Sequence, residues 1–101
     1  MIIVIAKMKA KQGFEKILAD GCMEMAQVVR QKEKDCLMYY PYVSMEDPSQ
    51  VMIFEKYKNE KALNYHTQTL HYLDAMKNLK DILEGPVDIQ KFYEEHMVIT
   101  S

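Results

Sequence analysis

The sequence predicts an α+β domain of the ferredoxin-like kind, in which a four-stranded antiparallel sheet carries its helices on one face. Three observations predict it. The hydrophobic period switches from 2 to 3.6 and back, in the order β-α-β-β-α-β. The turn-forming marks Gly13, Pro41, Asp47-Pro48 and Gly85-Pro86 punctuate the pattern. The first strand is apolar on both sides over its first half, which a sheet requires only when each face is covered.

Residues 2–11 read as that strand, with Val4, Ala6, Met8 and Ala10 on one face and Ile3, Ile5, Lys7 and Lys9 on the other. After Gly13, the apolar residues Phe14, Ile17, Leu18, Gly21, Cys22, Met25, Val28 and Val29 recur at helical spacing. The polar run Gln31-Lys32-Glu33-Lys34-Asp35 ends the helix. Residues 36–44 and 51–58 are rich in β-branched and aromatic side chains and read as two strands, joined by a turn at Asp47-Pro48-Ser49. Pro41 cannot donate to a ladder, so its strand is an edge or is bulged there.

Asn59 caps a short helix through about Tyr65, with Ala62, Leu63 and His66 on one side. Thr69 starts another, in which Leu70, Leu73, Met76, Leu79 and Leu83 repeat before Gly85-Pro86 stops it. Residues 87–93 form the last strand. The expected organisation is one domain over residues 1–101, with a core at about 2–95 and a tail at 96–101.

With 49% hydrophobic residues, the 101-residue chain has more apolar surface than one small core consumes. A ligand pocket, an oligomer interface, or both, would absorb it. A second copy of the sheet is the economical cover for its free face, so a homodimer is expected, with Met97-Val98-Ile99 reaching across. The net charge of −2 is spread along the chain without a basic stripe, which argues against nucleic-acid binding. The apolar start is too short for a membrane span and lacks the form of a signal peptide. Cys22 and Cys36 fit neither a disulfide framework nor a CxxC pair, and read as thiols in a reducing cytoplasm.

Several segments resemble the antibiotic biosynthesis monooxygenase (ABM) superfamily. They are Ile3-Val4-Ile5-Ala6-Lys7 through Gly13 with Phe14-Glu15, Cys36-Leu37-Met38-Tyr39-Tyr40, and Glu46-Asp47-Pro48. Phe54-Glu55-Lys56-Tyr57, Ala62-Leu63 with His66, Thr69-Leu70-His71-Tyr72 and Gly85-Pro86 complete the series. The resemblance covers about residues 2–95 and implies a dimeric α/β barrel. The members most similar to this chain are small quinol monooxygenases, which use no flavin, haem or metal. In them the electron-rich aromatic substrate is itself the reductant of O₂, and the protein supplies an apolar pocket, a base and orientation. The three glycines form no nucleotide-binding loop, in keeping with a reaction that needs no cofactor.

His66 is the candidate general base, since imidazole titrates near neutrality and relatives carry histidine at the matching position. His71 falls in the first turn of the following helix, whose N-terminus favours neutral imidazole. His66 and His71 have HxxxxH spacing, but no third ligand stands at sensible spacing, so no metal site is expected. Glu55 interrupts an apolar strand on the face of Val51 and Ile53, either at the dimer interface or at the pocket orienting a histidine. Tyr39, Tyr40, Tyr42 and Tyr57 could stack on an aromatic ligand. The expected catalytic set is His66, Glu55 and His71, with Tyr40, Tyr57, Tyr72 and Phe54 contacting substrate.

Haem-degrading relatives use a first-strand asparagine and a pocket tryptophan. Here the matching position is Ala6 and the chain has no tryptophan. Two rivals remain: an isomerase of a small phosphorylated signalling sugar, drawing on Lys7, Lys9 or Lys56, and a non-catalytic ligand-binding dimer.

Overall fold

The structure, a computed structural model, describes residues 1–94. Strand β1 (Ile2–Lys9) leads into helix α1 (Glu15–Lys32), followed by β2 (Cys36–Val43) and β3 (Gln50–Tyr57). Two short helices, α2 (Glu60–His66) and α3 (Leu70–Leu79), precede β4 (Asp88–Tyr93). The strands form one sheet in the order β2-β3-β1-β4, every neighbouring pair antiparallel. This is the ferredoxin-like arrangement that the periodicity predicts. The expected seal by Met97-Val98-Ile99 lies outside the described residues.

Local chemistry explains the boundaries. Gly13 turns with φ +91°, a conformation that L side chains rarely adopt. Asn59 accepts a 2.9 Å hydrogen bond from the Ala62 N–H and starts α2. Thr69 accepts a 3.2 Å bond from the Tyr72 N–H while its hydroxyl donates to the His66 carbonyl at 2.8 Å. One threonine thereby ties the end of α2 to the start of α3. Pro41 sits on the edge strand β2, whose register also shifts between Cys36 and Met38.

The last helix departs from expectation. It stops at Leu79 rather than continuing through Leu83, because the following backbone bonds to the end of β1 instead. Lys11 donates to the Ile82 carbonyl at 2.8 Å, Glu84 donates to the Lys9 carbonyl at 2.7 Å, and Leu83 forms a bridge with Ala10. Leu70 and Leu73, expected on the buried stripe, are exposed. The side of α3 that packs on the core carries Tyr72, Ala75, Met76 and Leu79.

The two sheet faces differ sharply. Val4, Ala6, Met8, Tyr39, Ile53, Glu55 and Tyr57 are buried on the face that the helices cover, with Leu18, Cys22, Ala26 and Val29 from α1. Fully burying an aliphatic side chain of this size stabilises the fold by about 1.5–3 kcal/mol. The opposite face carries the cross-strand rows Met38–Lys56–Ile3–Phe92 and Tyr40–Phe54–Ile5–Gln90. Met38, Tyr40, Tyr42 and Phe92 are exposed there. Among the described residues, no helix is long and apolar enough to cross a membrane.

Candidate active site

A cleft of about 280 Å³ opens between the helix-covered sheet face and helices α2 and α3. Val4, Ala6, Met8 and Ile53 form its apolar floor, and Leu63, Tyr72 and Met76 stand over it. His66, Glu55 and Tyr39 bring polar atoms into it. Lys91 is its lysine; Lys7, Lys9 and Lys56 do not line it. Lys9 instead approaches Asp47 and Lys56 pairs with Glu94.

His66 is held from behind. Its Nδ1 lies 3.0 and 2.9 Å from the two carboxylate oxygens of Glu33. The same carboxylate receives His71 Nε2 at 2.5 Å. Glu33 and His66 are almost wholly buried, and His71 is only slightly exposed. Burial pushes the Glu33 carboxyl up, but the hydrogen bonds and electrostatic pull of the two histidines outweigh it and leave the group below its ordinary value. A carboxylate in this position fixes the Nδ1–H tautomer of His66. Nε2 then carries the lone pair and is the ring nitrogen left for a ligand in the cleft. Tyr39, Tyr57 and Tyr72 surround the ring at centroid distances of 5.4, 5.4 and 5.0 Å.

Glu55 supplies the second proton-active group. Burial raises its pKa to about 7, opposed by a 2.6 Å hydrogen bond donated by the Tyr57 hydroxyl and by His66, and reinforced by the charge of Glu33. The same burial drives the Tyr57 and Tyr39 hydroxyls far above their usual range. Cys22 and Cys36 are pushed up to about 11 and 12, so both thiols are protonated and inert as nucleophiles.

Glu55 gives a stability prediction with a definite sign. Its folded pKa lies above the ordinary 4.5, so its contribution is fully present below pH 4.5 and is lost as pH rises through about 7. Glu55→Gln, neutral throughout, is expected to gain on wild type by on the order of 2–3 kcal/mol between pH 4.5 and 8. Thermal unfolding of both proteins across that range checks it; parallel Tm curves would contradict the buried, proton-holding carboxyl.

The structure thus gathers His66, Glu55 and Tyr72 at the cleft. Tyr57, expected to contact substrate, is wholly buried, does not line the cleft and instead hydrogen-bonds to Glu55. His71 does not line this cleft; it bonds to Glu33 and its ring lies 6.4 Å from that of His66. Tyr40 and Phe54 pair with each other on the opposite face of the sheet and are not brought to the site. Tyr39, one residue from Tyr40, lines the cleft instead. Glu33, absent from the expected set, is its central orienting group, and it is the third partner that HxxxxH spacing alone did not show. The sequence held a signal for it. Leu18, Cys22, Ala26 and Val29 are buried along one stripe of α1, and the next step of four residues reaches Glu33.

A ferredoxin-like domain with a buried histidine and a buried carboxyl at an apolar cleft belongs to the class of small α+β domains with a concave, mostly apolar pocket and a few convergent polar groups. A family model described as antibiotic biosynthesis monooxygenase matches residues 1–78, and the chain belongs to that family. The protein named "Putative monooxygenase YcnE" of Bacillus subtilis is 24% identical over 89 residues, spanning 88% of this chain and 93% of that one. The uncharacterised Synechocystis protein sll1783 is 29% identical over 58 residues, 57% of this chain, which covers 40% of its length. Among solved structures, Rv0793 from Mycobacterium tuberculosis has a TM-score of 0.86 at 24% identity, covering 96% of this chain and 97% of that one. An antibiotic biosynthesis monooxygenase, so named with the word putative, from Deinococcus radiodurans reaches 0.87 at 20% identity, covering 100% and 99%. At those identities the structures show the fold. Together with the family match, the names make this a monooxygenase-like protein.

Proposed function

We propose that the protein oxidises a quinol or similarly electron-rich phenol with O₂ and without a bound cofactor. The observation that carries this reading is the buried Glu33–His66 pair at an apolar cleft, which presents a basic imidazole nitrogen to a ligand. His66 Nε2 removes a phenolic proton, and the resulting anion passes one electron to O₂. The radical pair recombines at a ring carbon, and the loss of that carbon's hydrogen with cleavage of the O–O bond leaves a quinone and water. One phenol and one O₂ give one quinone and one water, so the substrate supplies every electron. Tyr39 and Tyr72 contact the ring of the substrate, and Glu55, with a pKa of about 7, can donate or accept a proton at its far side. His71, acting through Glu33, is a positioning residue.

Oxygen uptake by chelator-treated protein against a panel of quinols, corrected for autoxidation, tests this reading. With ¹⁸O₂, one labelled atom is expected in the quinone and one in water. No uptake above the blank across the panel would count against it. The pairing of a base with a carboxyl of pKa about 7 also suits moving a proton between two carbons, so an isomerase is the second reading. Turnover of a small phosphorylated ketose under nitrogen would favour it.

The open sheet face, with Met38, Tyr40, Tyr42 and Phe92 exposed, fits a homodimer built sheet against sheet. Light scattering on the eluted protein is expected to give twice the 11.9 kDa chain mass, and Tyr40→Asp to shift it towards monomer. A monomeric wild type at micromolar concentration would remove the dimer from the account. The two free thiols suit the reducing cytoplasm.

A further inference from the structure

We propose that Glu33, His66 and His71 form a site for a divalent transition-metal ion of the Zn²⁺ type, whose occupation switches the cleft off. One carboxylate oxygen and two imidazole nitrogens from three separate segments converge, with all ligand atoms within 4.8 Å of one another. Two histidines and one carboxylate are a donor set that first-row divalent ions accept readily. The present contacts of 2.9 and 2.5 Å are those of shared protons. Around an ion bound at about 2.0–2.1 Å, neighbouring ligand atoms stand about 3.0–3.4 Å apart. The Glu33–His66 contact is already near that spacing. The Glu33–His71 contact must open by under an ångström. The two histidine nitrogens, which lie within 4.8 Å, must close by up to about 1.5 Å. His71, in the first turn of α3 and partly exposed, is the member with room to move.

Two outer clefts reach residues of the site. Glu33 and His71 each line an outer cleft separate from the one that holds the front of His66, the first with Cys36, Asn59 and Tyr65, the second with Gln68 and Thr69. Lys32 borders both clefts, and Lys34 and Lys61 border the first; these cations weaken ion binding, against the negative charges of Glu33 and Asp35. Inside, the Glu55 carboxyl also bears electrostatically on Glu33 and His66.

The consequence for the cleft follows from imidazole chemistry. An ion on His66 Nδ1 displaces the ring proton to Nε2, so the nitrogen facing the ligand becomes a donor and no longer accepts a proton. This half of the proposal rests on the monooxygenase reading; ion binding itself does not.

The test is a titration of chelator-stripped full-length protein with Zn²⁺, repeated with Co²⁺ to read ligand-field absorption. One ion per chain is expected, with a Kd of about 1 μM or tighter. Glu33→Gln and the milder His71→Asn are each expected to weaken binding at least ~10-fold, while Asp20→Asn, at an exposed carboxylate paired with Lys16, leaves it unchanged. Thermal unfolding confirms that each variant is folded. Binding weaker than about 100 μM, or binding that survives both ligand substitutions, overturns the site. Oxygen uptake is then followed against occupancy. Loss of uptake in step with bound Zn²⁺ supports the switch, and full uptake at saturation overturns it while leaving the ion site standing. If metal-free protein shows no uptake, the monooxygenase reading has failed and the titration alone judges the site.

Discussion

His66→Gln is expected to lower kcat for quinol oxidation by about 10²–10⁴-fold, the range that a positioned general base contributes. Glutamine is a severe test because it preserves much else. Its amide N–H₂ can still donate to Glu33, so the buried carboxylate keeps a partner and the fold remains intact. It cannot accept a phenolic proton near neutral pH. KM is expected to change little, since Tyr39, Tyr72 and the apolar floor still hold the ring. A variant with wild-type kcat would mean that another group, Glu55 foremost, takes the proton.

Glu33→Ala is expected to carry the largest stability effect. The change removes the acceptor shared by two imidazoles, one of them wholly buried, and leaves both N–H groups facing a small void. Breaking one side of a buried charged network costs about 3–5 kcal/mol. For a domain of this size, the lower figure corresponds to a Tm drop of roughly 12–24 °C. Glu33→Gln keeps an acceptor oxygen and is expected to lose far less. The pH dependence has a definite sign. Because its folded pKa is depressed, Glu33 contributes stability that is present above the ordinary 4.5 and is lost as pH falls through the lower folded value. The Tm gap between wild type and Glu33→Ala should therefore narrow on acidification. Equal Tm values at pH 7 would show that the two histidines are held by other contacts.

Most of the architecture was legible because it rests on periodicity. The alternation of Val4, Ala6 and Met8 against Ile3 and Ile5 names the two faces of β1, and Asn59 and Thr69 announce the starts of α2 and α3. Period 2 does not say which face the helices will cover. Alternation already puts Glu55 opposite Phe54 and Tyr39 opposite Tyr40; what it leaves open is which set the helices meet. They meet Glu55 and Tyr39, leaving the expected Phe54 and Tyr40 on the other side. The end of α3 was illegible because the backbone partners of Ile82 and Glu84 lie some seventy residues away, at Lys11 and Lys9. Glu33 was hidden by its company. Among Lys32, Lys34 and Asp35 it reads as part of a solvated helix end, and only the docking of α2 and α3 onto the end of α1 buries it against two histidines.

If His66 ionises a phenol inside the cleft, the absorption of a bound chromophoric phenol that O₂ cannot attack reports it. A nitrophenol titrated into the protein one pH unit below its own pKa reports its charge by colour. Wild type is expected to bind it as the coloured phenolate, and His66→Gln as the neutral phenol. A phenol that stays neutral in wild type, or that ionises equally in both proteins, would contradict His66 as the base.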